Sequence, residues 1–294
     1  MTDLTWGIVS GLGTGMTWAA ISMLVRSLSG TLTPAGITAA RSMVGGSILL
    51  LTALLTGHAG EVVRMPLWVV LALWASIILA MGFGDTMFFA SMDHLGVTRA
   101  LILSMANPLL TTVVGIGLMG EPVTLPRATG ILLVVGGLVL IIAGKGDGGS
   151  ERRGSTRRGM RLVFAAAGVW AAAAVILKPA LQVVSVVGAA AVRIPMGGLF
   201  LWLTPWTAGT LRAIAKSTPA ERKRLGAVCL LSALGSLFFT AGIKFGGVAV
   251  GNVLASTAPL FTLPFDVWAL GQRPSRGTVW GAAVTRAGVG LINF

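Results

Sequence analysis

Ionisable side chains interrupt otherwise apolar stretches of this sequence, among them Arg41, Asp85 and Arg193. Charged residues inside membrane-spanning segments are rare, and they pair with one another or mark the path of a substrate or ion. Arg41 lies seven residues beyond Pro34, which at about 1.5 Å per residue places it roughly 10 Å inside a helix beginning there. Asp85 lies six residues before Ser91 and reaches a similar depth, about 9 Å, on the next helix. We therefore predict that Arg41 and Asp85 pair and help to close the inner side of a cavity.

Arg193 lies 152 residues after Arg41, at the equivalent position of an internal repeat, but the residue equivalent to Asp85 is Ser236. Arg193 therefore lacks the predicted acidic partner and is available to bind the carboxylate of a substrate. The alternative is that each arginine satisfies carbonyl groups at a helix end, because a long arginine side chain can reach the interface from this depth.

Uncharged polar residues cluster on two further apolar segments. They are Ser104, Asn107, Asn252 and Ser256. Buried polar groups need hydrogen-bond partners, so these residues are candidate contacts for the ammonium and carboxylate groups of an amino acid. Serine can bond to its own helix instead, so the two asparagines are the stronger candidates. Pro108 and Pro259 free backbone carbonyl groups near the middle of these segments, and they indicate either helices bent around a substrate or static packing kinks.

Bulky aromatic residues occupy matched positions in the two halves of the chain. They are Trp18, Phe88, Trp170 and Phe239. Trp18 and Trp170 lie well inside the first helix of each half, rather than at the membrane interface where tryptophan concentrates. These rings either line a cavity that receives apolar side chains or simply fill space between helices.

The sequence offers little for enzymatic, metal or nucleotide chemistry. His58 and His94 lie near predicted loops, Cys229 is the only cysteine, and no HExxH, CxxC, GxSxG or Walker A pattern is present. Residues 115–120 match the GxGxxG pattern, but they lie inside an apolar span with no preceding strand. We therefore expect no enzymatic activity, no cofactor and no bound metal.

An internal repeat of about half the chain positions all of these residues. Residues 96–121 and 247–272 match at an offset of 151, with Gly96 equivalent to Gly247 and Glu121 equivalent to Gln272. Further matches upstream keep the offset at 151 or 152. A repeat of this length indicates one duplicated unit rather than a solenoid.

The composition places both units in a membrane. Of the 294 residues, 55% are hydrophobic and 11% are charged, whereas soluble domains carry about 25% charged residues. A spanning helix needs about 20 predominantly apolar residues. Ten such runs lie near 6–25, 34–56, 67–91, 97–119, 127–143, 159–177, 184–207, 225–243, 248–270 and 277–293. The predicted fold is an all-α membrane protein with ten transmembrane helices, and because five is odd, the second five-helix repeat is inverted relative to the first.

The distribution of the net charge of +13 predicts the orientation. Residues 145–158 are rich in glycine, serine and basic residues, and they are predicted to link a first repeat at 1–144 to a second at 159–294. Fifteen basic residues fall on the linker's side of the predicted topology and four on the other side. The positive-inside rule therefore places the linker in the cytoplasm and both termini in the periplasm. This rule explains the charge without a nucleic-acid partner.

Residues of a known family pattern recur along the first half. They are Trp18-Ala19, Pro34 with Arg41, Gly96-Val97-Thr98-Arg99-Ala100, Asn107-Pro108, Gly120-Glu121-Pro122, Gly130 and Gly136-Gly137. Each half resembles an EamA-type unit of the drug/metabolite transporter superfamily, over essentially the whole chain. The chain is most similar to the YddG-type exporters, which move aromatic and other amino acids and some lipophilic cations out of bacteria. The resemblance implies an inner-membrane protein with a central cavity lined by helices 1 to 4 and 6 to 9. Arg286, in the middle of the last span, departs from the pattern.

The leading hypothesis is a secondary transporter that exports neutral, above all aromatic, amino acids and similar small metabolites by alternating access. We expect it to act as a monomer in contact with membrane lipid. A multidrug or lipophilic-cation exporter, or another small-metabolite carrier of the same superfamily, is the alternative. A channel is a third possibility, and an intramembrane enzyme is disfavoured because no nucleophile with a base lies at membrane depth.

Overall fold

A computed structural model describes residues 3–28, 30–95, 97–144, 155–268 and 275–292 of the chain. All regular secondary structure in these ranges is helical, which confirms the predicted all-α class. Residues 145–154 of the predicted linker lie outside the described residues, as do Gly96 and Gln272 of the repeat.

The helices of the first half begin and end where local chemistry predicts. Their bounds are α1 (Asp3–Arg26), α2 (Pro34–Leu55), α3 (Ala59–Val63), α4 (Leu67–Ile77), α5 (Asp85–Leu95), α6 (Val97–Ser104), α7 (Ala106–Met119) and α8 (Leu125–Gly144). Pro34 starts α2, because a missing N–H costs nothing in the first turn, and the Thr33 side chain accepts a hydrogen bond from the backbone N–H of Gly36. A π-helical segment, Ile78–Gly84, joins α4 to α5.

The second half repeats this pattern with one long helix. Its bounds are α9 (Thr156–Val183), α10 (Val186–Trp202), α11 (Thr210–Lys216), α12 (Pro219–Ala255), α13 (Ala258–Trp268) and α14 (Arg276–Ile292). The Ser185 side chain caps α10 by accepting a hydrogen bond from Gly188 N–H, and Thr218 and Glu221 form a capping box at the start of α12. Gly247, with a φ of 81°, interrupts the helical backbone of α12.

The number of spans is smaller than the ten predicted. Seven helical stretches of the described chain are long and apolar enough to cross a membrane, or eight if the bent pair Val186–Trp202 and Pro205–Lys216 is one span. Two causes reduce the number: α12 includes the predicted eighth span and the start of the ninth, and α10 and α14 have only 17 residues each. The ten-helix prediction is therefore not confirmed.

The predicted proline kinks lie at helix starts rather than in helix interiors. α6 and α7 are separated at Met105, and Pro108 lies in the first turn of α7. Pro259 is likewise the second residue of α13. Because the first-turn N–H groups of a helix have no partner within it, neither proline breaks an existing hydrogen bond. The interruption itself is real, but it precedes each proline.

Helices α8 and α14 make close, reciprocal glycine contacts. A Cβ atom on Gly130 would lie 2.7 Å from the carbonyl oxygen of Gly288, and one on Gly137 would lie 2.7 Å from that of Gly281. A Cβ atom on Gly288 would likewise lie 2.6 Å from the carbonyl oxygen of Gly130, and one on Gly281 would lie 2.6 Å from that of Gly137. At the repeat offset of 151, Gly130 is equivalent to Gly281 and Gly137 to Gly288. Each contact therefore has a counterpart with the two halves exchanged.

Helices α2 and α10 make a second reciprocal contact. A Cβ atom on Gly46 would lie 2.8 Å from the backbone nitrogen of Pro195, and one on Gly198 would lie 2.9 Å from that of Met43. At an offset of 152, Gly46 is equivalent to Gly198 and Met43 to Pro195. Helices α1 and α12 pack along each other, as α9 does along α4 and α5.

Large apolar side chains cover much of the outer surface. Leu55, Leu118 and Leu125 are each about four-fifths exposed, at 78%, 80% and 81%. An aqueous surface with many such residues is unfavourable, whereas acyl chains solvate them. Arg286 is exposed on α14 rather than buried against a partner.

Candidate substrate-binding site

Arg41 is buried in α2 and held by two contacts from other helices. Its guanidinium carbon lies 4.9 Å from the ring centroid of Trp18 on α1, within the range of a cation–π interaction. Its Nη1 donates a hydrogen bond of 3.4 Å to the Ser232 hydroxyl on α12. Trp18 itself is 38% exposed, so its ring covers the guanidinium while remaining accessible.

Asp85 begins α5 immediately after the π-helical segment. Its Oδ1 accepts a hydrogen bond of 3.1 Å from Nε1 of Trp170 on α9, and the same N–H lies near the carbonyl oxygen of Ala80, at 3.3 Å. The Trp170 ring also packs on Phe88, with ring centroids 5.1 Å apart. Short π-helical turns occur frequently at functional sites, and this one ends immediately before Asp85.

The predicted direct ion pair between Arg41 and Asp85 is absent from this conformation. No nitrogen–oxygen distance of 4.0 Å or less joins a basic and an acidic side chain in the described residues. Trp18 and Ser232 hold the guanidinium, and Trp170 holds the carboxylate. The two charges still attract each other at longer range.

Arg193 on α10 is buried and also lies against an aromatic ring. Its Nε donates a 2.9 Å hydrogen bond to the Ser76 hydroxyl on α4, and its guanidinium carbon lies 5.6 Å from the ring centroid of Phe239 on α12. Within the described ranges, no carboxylate pairs with this guanidinium. The described residues thus include two buried arginines, one per half, each against an aromatic ring and a serine.

Asn107 and Asn252 contact each other across α7 and α12. Nδ2 of Asn107 donates a long hydrogen bond of 3.4 Å to Oδ1 of Asn252. Oδ1 of Asn107 is enclosed and has no partner in the part of the chain described. Because an enclosed carbonyl without a partner is costly, this oxygen is a position where a ligand donor or a water would stabilise the site.

The two candidate serines bond to their own helices. The Ser104 hydroxyl donates to the Leu101 carbonyl oxygen at 2.8 Å, and the Ser256 hydroxyl donates to the Asn252 carbonyl oxygen at 2.9 Å. Their donors are therefore occupied, and each can only accept a hydrogen bond from a ligand.

Sequence reasoning missed a charged network at the break in α12. The Glu121 carboxylate accepts hydrogen bonds from the backbone N–H groups of Val248, at 2.6 Å, and Ala249, at 3.1 Å. On the other side of Gly247, Nζ of Lys178 donates to the carbonyl oxygens of Ile243 and Lys244, at 3.0 Å each. The matched glycines at 96 and 247 and the Gly-Glu-Pro motif at 120–122 were the available signals.

The geometry suits binding of a small polar molecule. In the described ranges, no group of three or more His, Cys, Asp or Glu side chains could hold a metal ion. The charged groups are instead two guanidiniums and one carboxylate, surrounded by indole and phenyl rings. Such a set can recognise a ligand with ionised and apolar parts.

These helices, with their apolar outer surface, define a multi-pass membrane protein. The sequence model of the EamA-like transporter family matches residues 5–143 and, separately, residues 157–294. The chain therefore belongs to the EamA-like transporter family, whose members are transporters rather than enzymes.

One curated relative and one solved structure are similar to this chain. A protein described as an uncharacterized transporter, from Archaeoglobus fulgidus, is 28% identical over 143 residues, which are 47% of this chain and 48% of the relative. The chain thus spans about half the length of the curated relative it matches. A solved crystal structure shares the fold with a TM-score of 0.77 at 20% sequence identity, covering 97% of this chain and 94% of that one.

Proposed function

We propose that this protein exports neutral amino acids, above all aromatic ones, and similar small metabolites across the bacterial inner membrane by alternating access. The observation that carries the proposal is the matched pair of buried arginines, Arg41 and Arg193, each lying against an aromatic ring. A buried cation is expensive in a membrane and is retained for function. Its counterion here would be the substrate carboxylate, and the rings would receive an apolar side chain.

The reciprocal helix contacts support a pair of inverted halves. Suppose that residue i of the first unit contacts residue j of the second. If the residue equivalent to j in the first unit also contacts the residue equivalent to i in the second, the two units are related by a twofold axis. The Gly130–Gly288 and Gly137–Gly281 contacts have this form. A division of α12 at Gly247 would give ten segments, five per half. Transporters of this construction bind substrate where the halves meet.

The proposed orientation has a cytoplasmic linker and two periplasmic termini. It rests on the excess of basic residues on the linker's side. Reporter fusions test it: an alkaline phosphatase fused to the carboxyl terminus should be active, and a fluorescent cytoplasmic reporter at that terminus would overturn the orientation. We further propose that the unit of transport is a monomer that needs only membrane lipid around it.

The alternative substrate class is a lipophilic cation. The two buried guanidiniums of Arg41 and Arg193 outnumber the half-buried carboxylate of Asp85 among the candidate residues, and an excess of positive charge repels an organic cation. The same excess attracts a carboxylate. This charge balance favours amino acids over cationic drugs as substrates.

Counterflow in proteoliposomes tests the proposal. Vesicles loaded with an unlabelled aromatic amino acid should transiently accumulate the labelled form, because a carrier exchanges substrate across the membrane. A channel equilibrates the label without overshoot, and an enzyme returns a changed product. The control is the Arg41→Met/Arg193→Met double variant, which should lose the overshoot. An absence of overshoot with every neutral amino acid tested would refute the proposal.

A further inference from the structure

Arg41 and Asp85 form an unusual arrangement of charge, because they attract each other without touching. Each is fixed by other side chains: the guanidinium by Trp18 and Ser232, and the carboxylate by the indole N–H of Trp170. An indole donor and a nearby guanidinium both stabilise the ionised carboxylate. The two charges are therefore held by other side chains rather than by each other.

Both groups retain unused hydrogen-bonding capacity. Nε and Nη2 of Arg41 and Oδ2 of Asp85 make no hydrogen bond with any described residue. None of these atoms is among the enclosed, unpartnered polar atoms of the described chain. They are therefore not fully enclosed, and an ionic group at membrane depth is stabilised by a ligand of opposite charge.

We propose that Arg41 and Asp85 together bind the zwitterionic head group of an α-amino acid, with its carboxylate on Arg41 and its ammonium on Asp85. This inference rests on the proposed export function and specifies how its site recognises the substrate. The ammonium and carboxylate of the head group are both bonded to the α-carbon, so one head group can contact two protein charges that do not pair directly. It also compensates both charges at once, which neither an amine nor a carboxylic acid can do.

The surroundings of Arg41 and Asp85 indicate where the rest of the substrate lies. The partly exposed Trp18 ring covers one side of Arg41, and the Phe88 and Trp170 rings pack together beside Asp85. An apolar or aromatic side chain leaving the α-carbon would contact these rings. The site is contributed by α1, α2, α5, α9 and α12, so it includes elements of both halves.

The second half lacks an equivalent head-group site. Arg193 matches Arg41, but Ser236 replaces the acidic residue, and no described carboxylate pairs with Arg193. Arg193 can therefore take a carboxylate but offers nothing to an ammonium group. The head group is distinguished from a simple acid only at the first-half site.

The test is competition in the counterflow assay among three compounds with the same phenyl side chain. They are phenylalanine, its decarboxylated amine phenethylamine and its deaminated acid 3-phenylpropionate. Competition avoids the direct membrane permeation of the two analogues. In the wild type, each analogue should inhibit on the order of 100-fold more weakly than phenylalanine, since each leaves one buried charge unpaired.

Two substitutions should remove the discrimination selectively. In Asp85→Asn, 3-phenylpropionate should inhibit about as well as phenylalanine, because the ammonium group no longer has a partner. In Arg41→Met, phenethylamine should become the equal of phenylalanine. Asp85→Glu keeps the charge and should keep the discrimination. Asp3→Asn, which removes an exposed carboxylate in the first turn of α1, should also keep it.

The outcomes separate this inference from the proposed function. If the wild type shows no counterflow, the export function itself fails. If counterflow is present but the three compounds compete equally, or if Asp85→Asn retains full discrimination, the head-group site is refuted and the export function stands. Should Asp85→Asn or Arg41→Met lose transport, ligand-induced thermal stabilisation of the purified variant with the same three compounds gives the same comparison. Loss of discrimination in Asp3→Asn would also refute the site.

Discussion

Replacement of Glu121 by alanine should destabilise the protein, because Glu121 caps a helical segment that begins 127 residues away in the sequence. The Glu121 carboxylate caps the helical segment that starts at Val248, because it accepts the backbone N–H groups of Val248 and Ala249. The site is built for this carboxylate: a Cβ atom on Gly247 would lie 2.6 Å from Oε1, and one on Gly115 would lie 2.8 Å from Oε2. The positive φ of Gly247 produces the break that the carboxylate caps.

The size of the effect follows from the two hydrogen bonds. A hydrogen bond to a charged group contributes about 1.5–3 kcal/mol, and loss of an N-cap costs about 0.5–2 kcal/mol. Water can reach part of the site, so the two contributions are not fully additive, and we expect Glu121→Ala to cost about 2–3 kcal/mol. Glu121→Gln keeps one acceptor oxygen but loses the charge, and it should cost about half as much.

Equilibrium unfolding in mixed detergent micelles, followed by tryptophan fluorescence, measures this loss of stability. Glu221→Ala is the matched control, because Glu221 also caps a helix start but makes its capping hydrogen bonds to Thr218 at an exposed position. We expect a clearly smaller loss for the control. Equal losses for the two alanine variants would refute the assignment of Glu121 as the cap of the broken helix.

Three further predictions concern packing and the site. Gly137→Ala should destabilise the protein by about 1–3 kcal/mol through overpacking, since its Cβ would lie 2.6 Å from the backbone nitrogen of Thr285. Gly136→Ala has open space around it and should be neutral or slightly stabilising. Equal unfolding midpoints for the two variants would contradict the close contact. Alanine at Asn107 or Asn252 should weaken counterflow at least about tenfold, a loss of about 1.4 kcal/mol, while expression stays normal. Normal transport by both variants would show that this pair is purely structural. Arg193→Met should raise the KM of export, and unchanged export would eliminate Arg193 as a carboxylate contact.

Local chemistry made much of the fold predictable. The apolar runs, the Thr33–Pro34 start of α2 and the interruptions next to Pro108 and Pro259 all depend on residues within a few positions of one another. The repeat added a non-local constraint, because its constant offset matches Gly130 with Gly281 and Arg41 with Arg193 from the order of residues alone. The repeat could not show that Gly247 interrupts a helix without ending it. That feature depends on the positive φ of Gly247 and on capping by the distant Glu121.

The partners of the charged residues could not be read from the sequence. Depth alone suggested that Arg41 and Asp85 touch, because a rise per residue gives height in the membrane but no lateral position. The actual partner of Asp85 is Trp170, on a helix of the other half, and that of Arg41 is Ser232, 191 residues away. Each of these contacts depends on how the halves pack, and neither serine nor tryptophan carries a charge that would mark it as a partner.

Alternating access predicts that the site is reached from one side of the membrane at a time, and accessibility from the two sides tests it most directly. Cys229 is the only cysteine of the chain, so a Cys229→Ala background allows single cysteines at Ser232, beside Arg41, and at Ser76, beside Arg193. A membrane-impermeant thiol reagent should label Ser232→Cys from the cytoplasm and Ser76→Cys from the periplasm. A transported amino acid should change the two labelling rates in opposite directions. Simultaneous labelling of both positions from the same side, at rates that substrate does not change, would show a continuous pore and contradict alternating access.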